Sequence, residues 1–385
     1  MASRRAAMLP PMTLEELRTP CALVDLDRLE RNASAMLERA RRLGVRLRPH
    51  VKTHKCVEAA RIQTAGEHGG ITVSTLAEAR AFAAAGFRDI TWAVPVALDR
   101  LDEVADLVRR TDRFQMLVDH PRAVAALEAR AAAEGLRCEV LVEVDCGLHR
   151  SGVDPNRAEA VALAAATHGS PHLELAGILT HAGQSYRCVS RAEAAKVAIH
   201  ERDVMVAFAG RLRAAGIAVG EVSIGSTPTV TAANDLSGVT EVRPGNYLFF
   251  DASQAAIGSC TLDGVAFSVL ATVLGVYPER RELVVNAGSL ALSSDPGPVH
   301  VNPGCGFGVV VTTTGQRPIP GLRVVSLSQE HGVIRSDRPL APSWQPGSRV
   351  RILPNHACLA AACFDRFHVV RVSEIVDEWH PVRGW

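Results

Sequence analysis

Short apolar runs alternate with Ala-rich amphipathic stretches over residues 45–250, and this alternation constrains the fold more than any other feature. The runs have the length of buried strands, and the stretches between them have the apolar spacing of helices that bury one face. A strand followed by a helix, repeated along a chain, predicts a sheet of parallel strands. We count eight such runs, in chain order 45–51, 70–75, 89–94, 114–119, 138–144, 175–181, 221–226 and 241–250.

Eight strand–helix units predict an α/β fold that closes as a (β/α)8 barrel of the TIM type. A doubly wound open sheet is the alternative, but no Gly-rich fingerprint follows a first strand to support it. A further apolar run at residues 21–26 is surplus to the eight strands. We expect this run to pair with strands outside the barrel.

The pattern changes after about residue 255, where helical stretches disappear and short Val-rich runs recur between Gly and Pro residues. Such a pattern is typical of an all-β domain. We therefore predict two domains. The barrel covers residues 25–254, and the β-domain combines residues 1–24 with residues 255–385.

Composition narrows the classes of partner. Lys plus Arg total 42 and Asp plus Glu 41, so the formal charge of +1 argues against nucleic acid or an anionic membrane surface. No apolar run reaches the length of about 18 residues that a membrane span needs, and the first residues lack the apolar core of a secretory signal. We expect a cytoplasmic protein whose nine cysteines are thiols rather than disulfides.

Barrel enzymes place their chemistry on the loops that follow the strands, and Lys52 follows the first predicted barrel strand. Exclusion of water and nearby positive groups would lower the pKa of a lysine there and make it an imine-forming nucleophile. The alternative is a basic loop that binds a phosphate or faces solvent.

Two Gly-containing segments follow the last two predicted strands, Gly225-Ser226-Thr227 and Gly245-Asn246-Tyr247. Barrels often hold a phosphate with the loops after strands seven and eight. Gly lets backbone amides approach the phosphate oxygens, and the hydroxyl groups add donors. The alternative is a pair of ordinary turns.

A possible metal site lies in the predicted β-domain at His356 and Cys358. On an extended segment these two side chains would face the same side, and imidazole nitrogen and thiolate sulfur are both good zinc ligands. Two ligands make half of an open site. The alternative is a core thiol beside a buried histidine. The segment Gln329-Glu330-His331-Gly332 could add a ligand, although a turn histidine is the plainer interpretation.

The block RPHVKTHK at residues 48–55 resembles the D-threonine aldolase and D-serine dehydratase family, which are pyridoxal-phosphate enzymes of the alanine-racemase-like fold type. The resemblance covers nearly the whole chain. It extends, in matching order and spacing, through TPCALVDLDRLERN, GITVSTLAEA, EVDCGLHRSGV, THAGQSY, SIGSTPT, EVRPGNY, SQEHG and PNHACLAAA.

The resemblance implies that the barrel holds pyridoxal phosphate and that the β-domain holds zinc or another divalent metal on His356 and Cys358. It implies that Lys52 forms the covalent link to the cofactor and that Arg150 and Tyr186 lie beside the cofactor ring. Such enzymes are usually homodimers that act on small amino acids. The remaining residues implied to bind the cofactor, mainly its phosphate, are His50, Gly225, Ser226, Thr227, Gly245, Asn246 and Tyr247.

The metal pair also bears on the reaction. Dehydratases of the family resemble this chain in having His-x-Cys, whereas aldolases tend to have His-x-Asp. The resemblance therefore favours a carbon–oxygen lyase that converts D-serine to pyruvate and ammonia, with Lys52 as the base that removes the α-proton. This chain departs from the family pattern at Asn286, Leu290 and Gln329, where Asp, Lys and Glu are usual.

Three alternatives stay open at this stage. An aldolase would use His181 to deprotonate the β-hydroxyl and would release glycine and an aldehyde. A D-3-hydroxyaspartate enzyme would need an extra cation, for which Arg187 and Lys55 are candidates. A cofactor carrier without turnover is the hypothesis from another class, but it gives no use to the β-domain and its His-x-Cys pair.

Overall fold

The computed structural model describes residues 13–65, 70–315 and 317–385. These residues form two compact units. The barrel unit comprises Ala33–Tyr247, Ile257–Ser259 and Val382–Trp385. The β unit comprises the described residues up to Asn32 together with Leu248–Ala256 and Cys260–Pro381.

The first strand is followed directly by the first helix, and the residues at both ends of this helix suit a helix terminus. Strand β1 covers Cys21–Asp25, and helix α1 covers Leu26–Arg42. The Asp25 carboxylate accepts a hydrogen bond from the Arg28 amide at 3.0 Å, which satisfies one of the free donors at the helix start. Gly44 follows the helix with φ of 69°, a conformation that suits glycine at a helix end.

Eight parallel strands make up the sheet of the barrel unit, which confirms the predicted number and direction of the strands. The strands are β2 Arg46–Leu47, β3 Ile71–Val73, β4 Asp89–Pro95, β5 Arg113–Val118, β6 Cys138–Val144, β7 Leu173–Thr180, β8 Glu221–Ile224 and β9 Glu241–Val242. They are hydrogen-bonded in the order β2-β9-β8-β7-β6-β5-β4-β3. An isolated parallel bridge pairs His50, three residues after β2, with Thr72 of β3.

Helices follow most of these strands, as a barrel of this type requires. Their ends carry residues that suit a helix terminus. Ser190 accepts from the Glu193 amide at the start of α7, and Gly135 ends α5 with φ of 64°. The helices are α2 Val57–Gln63, α3 Leu76–Ala84, α4 Leu101–Arg110, α5 Pro121–Glu134, α6 Ala158–His168, α7 Arg191–Ala214 and α8 Thr227–Ala232.

Arg48 anchors the end of β2 inside the barrel unit. Its side chain is fully buried, and it donates to Glu241 at 2.8 Å and to Asp89 at 2.5 Å. A buried charge that loses its partner is costly, so these two pairings hold the guanidinium in one place. Because Arg48 is only four residues before Lys52, they also fix where the following loop begins.

The β unit contains a nine-stranded sheet in the order β11-β14-β13-β12-β15-β10-β1-β16-β17. Strand β1 pairs antiparallel with β10 and parallel with β16, so the surplus apolar run lies inside this sheet. Its other strands are β10 Phe267–Tyr277, β11 Glu282–Val285, β12 Val309–Val311, β13 Pro318–Leu327, β14 Gly332–Ser336, β15 Arg349–Leu353, β16 Phe367–Arg371 and β17 Glu374–Trp379.

Three short helices accompany this sheet: α9 Ala252–Ala256, α10 Ser289–Leu292 and α11 Ala357–Ala362. The expectation that helices disappear after residue 255 is therefore wrong in detail. None of the nine cysteines, all of which lie in the described ranges, forms a disulfide. Within those same ranges, no helix combines the length and apolar character needed to cross a bilayer.

Candidate active site

The loop after β2 places Lys52 in a short 3-10 helix, Val51–Thr53. His50 precedes this helix, and its Nδ1 atom accepts a hydrogen bond from the Lys52 amide at 3.3 Å. The loop after β9 comes very close: a Cβ on Gly245 would lie 2.7 Å from the His50 carbonyl oxygen. Glycine at that position is what lets the two loops meet.

Two histidines, His50 and His181, lie near Lys52 and near the cationic groups of Arg150 and Arg243. Burial lowers the pKa of His50 well below its usual value, and the charges of Lys52 and Arg243 lower it further. Burial likewise lowers the pKa of His181, followed by the charges of Lys52, Arg150 and Arg243. Both imidazoles are therefore neutral near pH 7.

Tyr186 and His181 lie on the segment that follows β7. Their ring centroids are 6.2 Å apart, and the rings are tilted by 46°. Arg150 is exposed and follows the turn after β6. That turn is shaped by Asp145, whose carboxylate accepts from the amides of Gly147 and His149 at 2.9 and 3.0 Å.

The two predicted phosphate loops meet through a hydrogen bond from the Tyr247 amide to the Thr227 hydroxyl, at 3.1 Å. Ser226 caps α8 and lies 2.8 Å from the Ser185 hydroxyl, so the loop after β7 joins the same group. Gly225 has φ of 109°, where a side chain would be strained. All six residues of the two predicted segments are buried: Gly225, Ser226, Thr227, Gly245, Asn246 and Tyr247.

Sequence reasoning misses two buried residues that build this site. Glu201, in the middle of α7, accepts from the amides of Ala182 and Gly225 at 3.1 and 3.0 Å. Arg243 donates to the Ser223 hydroxyl at 2.6 Å and to the Thr180 carbonyl at 2.5 Å, and burial lowers its pKa to about 10. Glu201 is one of several charged residues on α7, so the local sequence gives no sign that it is buried. Arg243 lies in the EVRPGNY block, which is the signal that could have found it.

The residues present in the barrel unit fit pyridoxal phosphate. An anionic cofactor and an amino-acid carboxylate both suit the positive groups Lys52, Arg150 and Arg243. The two neighbouring histidines are neutral and add no positive charge. At Gly225, an added Cβ would come within 2.8 Å of the Val230 side chain, so the close packing of this segment requires glycine. Serine and threonine hydroxyls at 226 and 227 add the donors that phosphate oxygens need.

The β unit brings His356 and Cys358 together at the start of α11, and Asp295 contacts the imidazole of His356. His356 Nδ1 lies 2.8 Å from Asp295 Oδ2. Burial alone would lower the pKa of His356, but its hydrogen bonds with Asp295 and Cys358 and the nearby charges raise it to about 11. Without a metal, the imidazole therefore carries a proton between a carboxylate and a thiol.

The extended geometry expected for this pair is wrong. His356 is extended with φ of −134°, but Cys358 lies in the first turn of α11, because the run of alanines after Cys358 favours helix. Asp251 accepts from the Ala357 amide at 3.0 Å and thereby caps the helix start.

The pair fits an open metal site with two protein ligands. Imidazole nitrogen and thiolate are zinc donors, and a carboxylate on the other ring nitrogen is the usual way to orient a zinc-bound histidine. Over the described ranges, no cluster of three or more His, Cys, Asp and Glu side chains is arranged to hold a metal. The remaining ligands would have to be water or substrate.

The other sequence candidates of the β unit lie in structural positions. His331 is exposed in the hairpin turn between β13 and β14, where its carbonyl accepts from the Ser328 amide. Asn286, which stands where the family usually has Asp, accepts from the Thr272 amide and donates to the Thr19 carbonyl at 2.9 Å. Leu290 is 54% exposed on α10.

Two family models together match most of the chain. The alanine racemase N-terminal domain matches residues 24–253, and the putative serine dehydratase domain matches residues 266–370. The D-threo-3-hydroxyaspartate dehydratase of Delftia sp. is 41% identical and covers 97% of this chain and 99% of its own length. The D-serine dehydratase of Dictyostelium discoideum is 36% identical over 97% of this chain and 98% of its own length. The D-threonine aldolase of Arthrobacter sp. is 30% identical over 99% of this chain and 98% of its own length.

The solved structure of the Delftia dehydratase superposes with a TM-score of 0.93 over 97% of this chain and all of its own. That enzyme has also been solved with a histidine replaced by alanine, and with a cysteine two positions later replaced by alanine in a metal-free form. His356 and Cys358 have the same spacing here. Sequence and structure therefore agree, and the chain belongs to the D-serine dehydratase and D-threonine aldolase family, in which an alanine-racemase-type barrel binds pyridoxal phosphate.

Proposed function

We propose that this protein is a pyridoxal-phosphate- and zinc-dependent lyase that removes water from a D-β-hydroxy amino acid, with D-serine converted to pyruvate and ammonia. The observation that carries this choice is the approach of His356 and Cys358, with Asp295 bonded to the imidazole. Hydroxide is a poor leaving group, so elimination benefits from a Lewis acid far more than most reactions at Cα.

The cofactor site is proposed to consist of the barrel residues predicted from the sequence. Lys52 would link covalently to the cofactor, and Arg150 and Tyr186 would lie beside its ring. Bound pyridoxal phosphate supplies an electron sink for negative charge at the substrate Cα. The residues proposed to surround its phosphate are His50, Gly225, Ser226, Thr227, Gly245, Asn246 and Tyr247.

The protein's own groups would then manage protons. Lys52 would take the α-proton of the substrate as general base. His181 shares the neighbourhood of Lys52, and burial and nearby positive charge keep it neutral near pH 7. Arg243 stays positively charged near pH 7 and would favour the substrate carboxylate or the cofactor phosphate.

The metal site is proposed to use His356 and Cys358. Zinc bound there supplies a positive charge that stabilises the departing hydroxide. Asp295 would keep the proton on Nδ1 of His356, so that the other ring nitrogen faces the metal. The Cys358 ligand favours the dehydratase over the aldolase alternative, because aldolases of the family tend to have Asp at that position.

A second candidate substrate is D-threo-3-hydroxyaspartate, which is named for the relative that is 41% identical. Its second carboxylate would need a further cation. Of the two candidates from the sequence, Lys55 is already paired with Glu78 at 2.6 Å. Arg187 is exposed at the end of the segment that carries Tyr186 and is the cation we favour.

Steady-state kinetics with the two substrates test the proposal. The purified protein, supplied with pyridoxal phosphate and zinc, is assayed with D-serine, L-serine and D-threo-3-hydroxyaspartate by ammonium release and identification of the keto acid. Pyruvate from D-serine, with none from L-serine, supports the proposal. Turnover of hydroxyaspartate to oxaloacetate alone would favour the second candidate. We also propose a homodimer, as is usual in the family, which light scattering of the same preparation measures.

A further inference from the structure

The loop that carries Lys52 contains a strained residue three positions later. Lys55 has φ of 55°, in the left-handed region that residues with a side chain rarely adopt. Such a conformation persists only where the surroundings hold it, and it is concentrated at functional sites. The contacts of Lys55 show what holds it.

Every polar group of Lys55 has a partner. Its amide donates to the Val51 carbonyl at 2.8 Å and so closes a turn around Lys52. Its carbonyl accepts from the Val382 amide at 2.8 Å, from the chain segment that follows the last strand. Its Nζ atom lies 2.6 Å from Glu78 Oε1.

Glu78 is a fully buried carboxylate on α3, whereas the Lys55 side chain is 21% exposed. The same carboxylate accepts from the amide and the hydroxyl of Ser74, at 2.8 and 2.9 Å. Ser74 directly follows β3, so the ion pair ties the loop after β2 to the loop after β3. A buried ion pair of this kind adds little net stability, but it fixes geometry because neither charge tolerates the loss of its partner.

We propose that Lys55 is a positioning residue: its ion pair with Glu78 and its hydrogen bond from Val382 hold the Lys52 loop in the geometry that lets Lys52 react with pyridoxal phosphate. This inference rests on the proposed role of Lys52 but not on the reaction that follows. It assigns Lys55 to the catalytic loop itself and removes it as a ligand for a substrate carboxylate.

The chain offers a clean test because it has only three lysines, Lys52, Lys55 and Lys196. Pyridoxal phosphate is added to the cofactor-free protein, the link is trapped with borohydride at timed intervals, and peptide mapping measures the fraction on Lys52. The variants are Lys55→Met, Glu78→Gln, the double variant and Lys55→Arg. Lys196→Met, at an exposed position on α7, is the matched control.

Lys55→Met and Glu78→Gln should slow the trapping of Lys52 by about tenfold or more, since a misplacement of about 1 Å can cost 100-fold in rate. Lys55→Arg should keep most of the rate, and the control should equal the wild type. Lys55→Met also leaves the buried Glu78 carboxylate without its ion-pair partner and should melt at a lower temperature.

The double variant separates positioning from plain stabilisation, because it removes both charges. Recovery of the melting temperature with trapping still slow supports the proposal. Recovery of both, or normal trapping in all the variants, overturns it. A wild-type protein that traps pyridoxal phosphate on Lys52 but converts no D-amino acid would refute the proposed reaction and leave this comparison valid.

Discussion

The Gly225 amide donates a hydrogen bond to the buried carboxylate of Glu201, 3.0 Å away, although the two residues lie on different elements of the barrel. The same carboxylate oxygen accepts from the Ala182 amide at 3.1 Å. One side chain of α7 therefore sets the relative position of the segment that carries His181 and the segment proposed to hold the cofactor phosphate.

Replacement of Glu201 should loosen the proposed phosphate site. Glu201→Leu leaves two buried amides without an acceptor, at a cost of about 1–3 kcal/mol each in the free energy of unfolding. Glu201→Gln keeps an acceptor oxygen and should cost far less. Urea unfolding measures both, and titration with pyridoxal phosphate and with pyridoxal tests the site. The affinity for the phosphorylated compound should fall selectively, and an equal loss for both compounds would contradict the assignment.

Lys52→Ala should abolish the visible absorbance of the lysine-linked cofactor and lower kcat by a factor on the order of 100 to 10,000, the range typical for loss of a general base. The absorbance spectrum and the rate of ammonium release from D-serine measure these effects. Lys196→Ala is the matched control and should leave both unchanged. Retention of the lysine-linked absorbance in Lys52→Ala would show that another lysine carries the link.

Cys358→Ala should lower the zinc content and the dehydratase rate while leaving cofactor absorbance intact, because His356 and Cys358 lie in the β unit and Lys52 in the barrel unit. Cys363→Ala, five residues later and exposed, is the matched control. Zinc is measured by mass spectrometry of the metal, and activity is measured before and after chelation. A Cys358→Ala protein with full zinc and full activity would remove the pair from the proposed metal site.

Acid should destabilise the fold through its buried histidines. Burial lowers the pKa of His54 from 6.5 to about 4, against the opposing effect of its hydrogen bond with Gln63. Between those values the unfolded state binds more protons than the folded state, so stability present above pH 6.5 is lost as the pH falls toward 4. His54 accounts for at most roughly 3 kcal/mol of this loss. Urea unfolding at a series of pH values should show a smaller loss in His54→Gln, and an identical pH dependence would refute the assignment.

Much of the fold follows from the sequence pattern, because a buried parallel strand and an amphipathic helix each leave a clear periodicity. The ends of elements are less predictable. The apolar run at residues 241–250 predicts one strand, but β9 covers only Glu241–Val242, and the following residues turn into the loop that holds Asn246. Pro244 cannot donate to a strand ladder and is followed by Gly245, which explains the early end.

Some residues of the candidate site can also be predicted from the sequence, and others cannot. Lys52, His50 and His181 can be chosen as candidates from the sequence because they lie at or just after the ends of apolar runs, which is a local property of the chain. Glu201 and Glu78 cannot, because a glutamate on an amphipathic helix is expected to face solvent, and only the three-dimensional contacts show that these two are buried. The geometry predicted for Cys358 is wrong because the local helix preference of its alanine neighbours outweighs the extended entry at His356.

Product analysis with D-threonine tests the central claim most directly, because dehydration and retro-aldol cleavage can both act on this substrate. The protein, saturated with pyridoxal phosphate and zinc, is incubated with D-threonine, and the products are identified by NMR. The proposed dehydratase yields 2-oxobutyrate and ammonium. Glycine and acetaldehyde as the main products would contradict the proposal and show that Cys358 does not decide the reaction.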